Sequence, residues 1–286
     1  MSLVRTVSIS LSLAGLLGLD QVQAQYRQPW VGTGIQAQPA TGEGQVLVAP
    51  RPSTSAPAGR RDMRPKAAAI RFTIKVDNIS QGEVLKLSNG KTAPFVSAPV
   101  LWVVHTGATN PIFTGGKREA GIGLELLAET GNPTDLVQSL GGKSGIVSVG
   151  AAALPVGGTA EGPITPGQGY VFEIVAQPGQ VLSTAWMFGQ SNDLFYSNER
   201  PIALFDAAGN PVSGDMTTQL SLWDAGTEVN EEPGLGANQG PRQQTPEAGI
   251  VERQGIAHVR DQYSYPRIAD VLRLTITPVS GAVSSN

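Results

Sequence analysis

The chain has 286 residues, 40% of them hydrophobic and only 15% charged, with a formal net charge of -3. That is enough apolar material for a sizeable core, and the slightly acidic balance excludes the basic footprint of a nucleic-acid binder. Cysteine is absent and only two histidines are present, so a disulfide framework, a lipid-bearing cysteine anchor and a typical zinc or copper site are set aside. The 35 glycines and 21 prolines require frequent turns and lean towards an all-β protein.

In chain order, the first segment is "MSLVRTVSISLSLAGLLGLDQVQAQ". One positive charge at Arg5, an apolar run from Val7 to Leu19 and the small-residue site ending at Ala24 are the layout of a secretory signal peptide, residues 1–24, cleaved after Ala24. The run is short for a membrane span. The expected destination is a periplasm or the extracellular space. Residues 25–66 are rich in Pro, Gly, Ala, Ser and Gln without periodicity, as expected of a linker or tail. Its basic cluster, Arg60, Arg61, Arg64 and Lys66, reads as solvated charge, and "VLVAP" is a weak strand candidate.

A folded unit is expected over 67–280, with a short tail at 281–286. It opens at "AIRFTIKVDN", where Ile70, Phe72, Ile74 and Val76 alternate with polar residues, the period of a half-buried strand. The same alternation recurs at Tyr170, Phe172, Ile174 and Ala176, and at Leu272, Leu274 and Ile276. Between them "EVLKLSNG", "VLWVVH", "LSTAWMF" and "TQLSLWD" are short and rich in β-branched or aromatic residues. Such strands without regularly intervening helices predict an antiparallel β-sandwich.

One interlude breaks the pattern. Ala120, Leu124, Leu127 and Ala128 fall at helical spacing with Gly131 placed to end the helix. Asn132 then caps a second short helix that begins at Pro133 and closes at Gly141. This pair is expected as an insertion on one edge or end of the sandwich. Gly141–Gly158 reads as loop, with one possible strand at "GIVSVG".

The acidic loops carry the functional signal. From Pro201 to Pro241 there is no Lys or Arg, whereas Asp206, Asp215, Asp224, Glu228, Glu231 and Glu232 all lie there. Asp224 and Glu228 follow the strand "LSLW", with Gly226 between them, and Asp193 follows "STAWMF". If the two strands run the same way, their ends lie side by side, and converging carboxylates repel unless a cation neutralises them. Oxygen ligands on flexible loops suit calcium better than magnesium. "DAAGNP" at Asp206 supplies turn chemistry and is read as a hairpin.

"SNDLF" and "LWDAGTEVNEEP", preceded by "WVVHTGATNPIFTGGKREAGIGLELLAETG", resemble the spondin N-terminal domain of animal F-spondin and mindin and of exported bacterial proteins. The likeness runs from about Ile70 to Pro278. It implies a sandwich of C2-like topology carrying a calcium ion on Asp193, Asp224 and Glu228. Animal members have Asp where Glu228 stands, and cysteines that this chain lacks.

The expected role is thus an exported calcium-binding recognition or adhesion module without catalytic activity, its partner a cell-surface or matrix protein or a glycan. A structural envelope or matrix protein stabilised by calcium is the alternative, and a secreted hydrolase is a third class. Phe195 and Tyr196 beside the acidic loops suit a contact surface, unless a ring turns into the core. For the hydrolase, "GQSND" places Ser191 in an incomplete nucleophile elbow, and neither His105 nor His258 has a spacing that links it to that serine. The C-terminal "SGAVSSN" lacks the aromatic end of an outer-membrane barrel, so no integral membrane insertion is expected.

Overall fold

A computed structural model describes residues 68–240, 242–245 and 248–279. The expected signal peptide, the 25–66 segment with its basic cluster and "VLVAP", and the 281–286 tail lie outside the described residues.

The alternating segments become the long strands of a four-stranded antiparallel sheet. Ile70–Asn78 (β1) pairs on one side with Gly169–Ala176 (β6) and on the other with Leu272–Pro278 (β13). Gly214–Asp215 (β10) extends β13, giving the order β10-β13-β1-β6. Phe72, Ile74, Val76, Tyr170, Ile174, Leu274 and Ile276 form its buried face, while Arg71, Lys75, Val171 and Glu173 are exposed. Period-two patterning fixes which face is core.

The second sheet has seven strands. Val100–Thr106 (β4), Ile146–Ala152 (β5), Gln180–Met187 (β7), Leu194–Asn198 (β8), Leu220–Asp224 (β11) and Ala257–His258 (β12) follow the order β12-β11-β8-β7-β4-β5. Ile202–Ala203 (β9) pairs with β7 beyond the end of β8. "GIVSVG", placed in a loop with one possible strand, is the full-length edge strand β5. "EVLKLSNG" provides only Leu85–Lys86 (β2), which pairs with Thr92–Ala93 (β3) in a small separate hairpin.

The strands of the seven-stranded sheet are apolar on both faces, and this decides where the helices go. Val100, Trp102, Val104, Leu182, Trp186 and Tyr196 face the four-stranded sheet and build the main core. Leu101, Val103, Ala185, Phe195 and Trp223 face the other way. That outer face is covered by Leu124–Thr130 (α1), Thr134–Leu140 (α2) and the loop carrying Ile112 and Phe113. The insertion therefore lies across a sheet face, not on an edge or end, because burying this second apolar face removes far more hydrocarbon from water than an edge position could.

Helix α1 starts later than Ala120, which is exposed. The Glu119 carboxylate accepts the amide N–H groups of Gly121, Ile122 and Leu124, holding Ala120 in the turn before the helix. Gly131 ends α1 in the left-handed region with φ 72°. Asn132 Oδ1 accepts the Thr134 N–H at 3.0 Å, while the N-cap position itself is taken by Pro133 and α2 starts one residue later than expected. The Asp206 hairpin also forms, with Asp206 Oδ1 accepting the N–H groups of Ala208 and Asn210.

Candidate metal centre

Strands β7 and β11 each pair antiparallel with β8, which lies between them. They therefore run the same way, and the turn after β7 and the loop after β11 meet at one end of the sheet. Ala225 N–H donates to the Asp193 carbonyl at 3.2 Å. In the β7–β8 turn, Ser191 Oγ donates to the Phe188 carbonyl at 2.7 Å and accepts the Leu194 N–H at 3.1 Å. That serine is a turn clip, fully buried.

Asp193 is completely buried. Its Oδ2 accepts the N–H groups of Thr227 at 3.0 Å and Glu228 at 3.1 Å. Its Oδ1 has no hydrogen-bond partner. Asp224, half-buried at the end of β11, accepts the Gly226 N–H on Oδ1 and the Asn230 side-chain amide on Oδ2, each at 2.7 Å. Gly226 sits at φ 68°, and a Cβ there would come within 3.1 Å of the Gln254 backbone; a glycine allows both the turn and the approach.

Glu228 is placed differently. Its backbone N–H serves Asp193 while its carboxylate turns to accept the Gly249 N–H at 2.7 Å. Glu228 is buried, and its Oε2 has no partner. The neighbouring charges that raise its pKa are those of Glu231 and Glu125. Of the three carboxylates expected together, the structure brings Asp193 and Asp224 into mutual influence and sets the Glu228 carboxylate to one side.

A residue outside that trio joins them. Glu129, in the last turn of α1, is 1% exposed, and its Oε1 lies 3.0 Å from Thr227 Oγ1, which is also 3.3 Å from Asp193 Oδ2. A hydroxyl has one proton to donate, so two carboxylates compete for it. Glu129 escapes sequence reading because it sits in "LLAET", where an acidic residue looks like an ordinary helix surface position. Only the packing of α1 on the sheet turns it inward.

Electrostatics follow from the burial. Burial drives the Asp193 carboxyl well above its ordinary range, the charge of Asp224 adds to this and Glu129 pushes the same way, while the amides of Glu228 and Thr227 partly offset it. Asp224 is raised chiefly by burial, with Glu252 and Asp261 adding to the rise, against the Gly226 amide and Asn230. Burial also raises Glu228, opposed by the Gly249 amide and Asn192. Three desolvated acids with elevated pKa values in adjoining loops are the perturbed groups typical of a candidate functional site.

Three buried oxygens in these loops lack a donor: Asp193 Oδ1, Glu228 Oε2 and Asn230 Oδ1. All are hard acceptors of the kind that ligate calcium. Among the described residues, no three His, Asp or Glu side chains are drawn tightly enough together to enclose an ion as they stand. The donor atoms are thus of the type calcium takes, but they are not gathered around one point. A cleft of about 450 Å³ adjoins it, lined by Glu125, Glu129, Thr227, Glu228 and Glu252 together with Arg118 and Arg253. These arginines come from chain segments outside the Lys- and Arg-free window, so the acidic loops do have basic neighbours.

No protein-family model matches the chain, and no curated protein matches it.

Four further residues singled out in the sequence have definite places. Phe195 and Tyr196, expected at a contact surface beside the acidic loops, are both completely buried. Phe195 enters the helix-covered layer and Tyr196 the main core, because consecutive residues of a central strand point to opposite faces and both faces are covered here. His105 is buried, with its Nε2 2.9 Å from Ser183 Oγ, and burial lowers its pKa. His258 is exposed on β12, its ring stacked on Trp223 at 4.0 Å.

Proposed function

We propose that the protein is an exported, calcium-binding recognition or adhesion module without catalytic activity. The observation that carries this is the set of donorless buried oxygens on Asp193, Glu228 and Asn230, beside a desolvated aspartate pair. A calcium ion would be held by Asp193 and Asp224, with Glu129 and the oxygens of the 226–230 loop within reach of the same loops. It would neutralise the repulsion that burial imposes and tie the β7–β8 turn to the loop after β11. Ordering these loops in advance lowers the entropy lost when a partner docks. The resemblance to spondin N-terminal domains points to the same ion and to Asp193, Asp224 and Glu228.

Residues 1–24 support export, and among the described residues no helix is long and apolar enough to cross a membrane. For catalysis, Ser191 Oγ is occupied by the Phe188 and Leu194 backbone, and the His105–Ser183 pair is sealed in the sheet. A second reading is favoured by one specific observation. Because Phe195 and Tyr196 are core residues, the expected aromatic contact surface beside the ion is lost, and calcium in an envelope or matrix protein that only stabilises the loops also fits.

Calorimetric titration of calcium into the full chain, with Asp224→Asn alongside, tests the metal reading. One saturable site that disappears in the variant is the expected result. No heat at millimolar calcium sinks it. If calcium binds, loop-directed partner capture that depends on the ion separates the recognition module from the purely stabilised one.

A further inference from the structure

A second cleft, of about 650 Å³, opens beside Trp223 on β11. Its walls are the loop from Ala108 to Gly116, the residues Glu199 and Arg200 after β8, and the segment from Ile256 to Arg260. The volume falls within the range of small-ligand sites. Arg200 and Arg260 both line it, both are exposed, and neither guanidinium has an ion pair or hydrogen bond among the described residues. Asp261, the nearest acid in sequence to Arg260, is engaged by the Tyr265 hydroxyl at 2.7 Å and the Tyr263 N–H at 2.8 Å. Two uncommitted guanidiniums against the single carboxylate of Glu199 make this cleft cationic where the neighbouring one is acidic.

The floor has a shape as well as a charge. His258 lies flat on Trp223, with an interplanar angle of 26°, so one face of the imidazole is held by the indole and the other is turned away from it. The indole is itself fixed by its Nε1–H donating to the Ser197 carbonyl at 3.2 Å and by the edge of Phe113 at 4.8 Å. This is a rigid ring platform. Beside it Gly115 and Gly116 present bare backbone, and Thr109 and Thr114 present exposed hydroxyls.

We infer that this cleft binds an anionic saccharide, one sugar ring lying on the His258–Trp223 stack while its acidic group is taken by Arg200 and Arg260. Guanidinium forks match carboxylate and sulfate oxygens. The threonine hydroxyls, the Gly115 backbone and Glu199 can exchange hydrogen bonds with sugar hydroxyls, which a surface built only for charge does not offer. An acidic peptide fits less well. Extended peptides add to a sheet edge, and the edge strand here, β12, has two residues. The site does not use the acidic loops and stands or falls separately from the calcium reading.

The test is calorimetry on the full chain in EDTA, so that calcium plays no part, with four probes: tetragalacturonate, a heparin-derived sulfated tetrasaccharide, neutral cellotetraose and tetraglutamate. Saturable one-site binding of the uronate or the sulfated tetramer is expected, and which of them binds identifies the acidic group. Arg200→Gln/Arg260→Gln should weaken it by about tenfold or more with an unchanged melting temperature, since both side chains are exposed. Failure of both anionic sugars to bind overturns the inference. So does equal binding of cellotetraose, equal or tighter binding of tetraglutamate, or full affinity in the double variant.

Discussion

The two clefts flanking the end of β11 share a wall and have opposite chemistry. The segment from Val251 to Arg260 passes from one to the other, with Glu252 and Gln254 lining the acidic side and Ala257, His258 and Arg260 the basic side. Consecutive side chains of a strand point opposite ways, so Trp223 serves one cleft and Asp224 the other loop cluster. The charges also differ in depth. The acids Asp193, Glu129 and Glu228 are buried, whereas Arg200 and Arg260 are exposed. Buried charges perturb one another and the stability of the fold, while exposed ones act mainly on what binds. Removing charge on the acidic side should therefore move the melting temperature, and removing the exposed charges of the basic side should not.

The largest effect is expected from calcium itself. At a free concentration about 100 times the dissociation constant, an ion that binds only the folded state adds about 2.7 kcal/mol, readable as a rise in Tm that Asp224→Asn abolishes. The pH dependence without the ion has a definite sign. Asp193 and Asp224 have folded-state pKa values raised above their unfolded ones, so the folded state binds more protons. Their contribution to stability is fully present below the unfolded carboxylate pKa of about 4 and is lost as pH rises through the folded values. In EDTA, Tm should fall as pH climbs above about 4, and saturating calcium should flatten that fall. An identical pH dependence of Tm in EDTA for the parent chain and Asp193→Asn would show that Asp193 is not desolvated as described.

Next in size is Asp193→Asn. An amide oxygen can still accept the Thr227 and Glu228 N–H groups, while the charge that repels Asp224 and Glu129 is gone. In EDTA at neutral pH the variant should be more stable, read as a higher Tm, and it should no longer respond to calcium. A variant that is destabilised in EDTA and still binds calcium breaks the account of Asp193 as an unpaid charge awaiting a cation. Smaller again is the contrast of Glu129→Gln with Glu228→Gln. The geometry places Glu129 beside Asp193 through Thr227 and turns the Glu228 carboxylate to Gly249, so Glu129→Gln should weaken calcium binding more, by about tenfold. The reverse order would mean that the Glu228 carboxylate swings inward when the ion arrives.

What could be read beforehand divides along physical lines. Strands with one solvated face, such as β1 and β13, alternate cleanly and were legible down to which side chains are buried. Strands apolar on both faces, such as β4 and β8, carry no alternation, so the position of the helical layer and the burial of both Phe195 and Tyr196 could not be read from them. Asp193 and Asp224 were legible as neighbours because strand direction alone brings their loops together. The turning aside of Glu228 and the arrival of Glu129, Arg118 and Arg253 depend on contacts between segments far apart in the chain, for which local pattern holds no signal.

The smallest predicted effect tests the rigidity of the basic side. Replacing His258 by Ala removes the ring stacked on Trp223, a contact worth about 0.5–1.5 kcal/mol when fully buried. His258 is exposed and lies on a two-residue edge strand, so the loss of stability should lie at the bottom of that range. Trp223 keeps its bond to Ser197 and its contact with Phe113, and the acidic loops keep all of theirs. His258→Ala should thus leave calcium affinity unchanged while exposing an indole face to solvent, seen as a red shift in tryptophan emission. A change in calcium affinity would instead mean that the shared 251–260 segment transmits strain between the clefts, and that the two sites form one coupled unit.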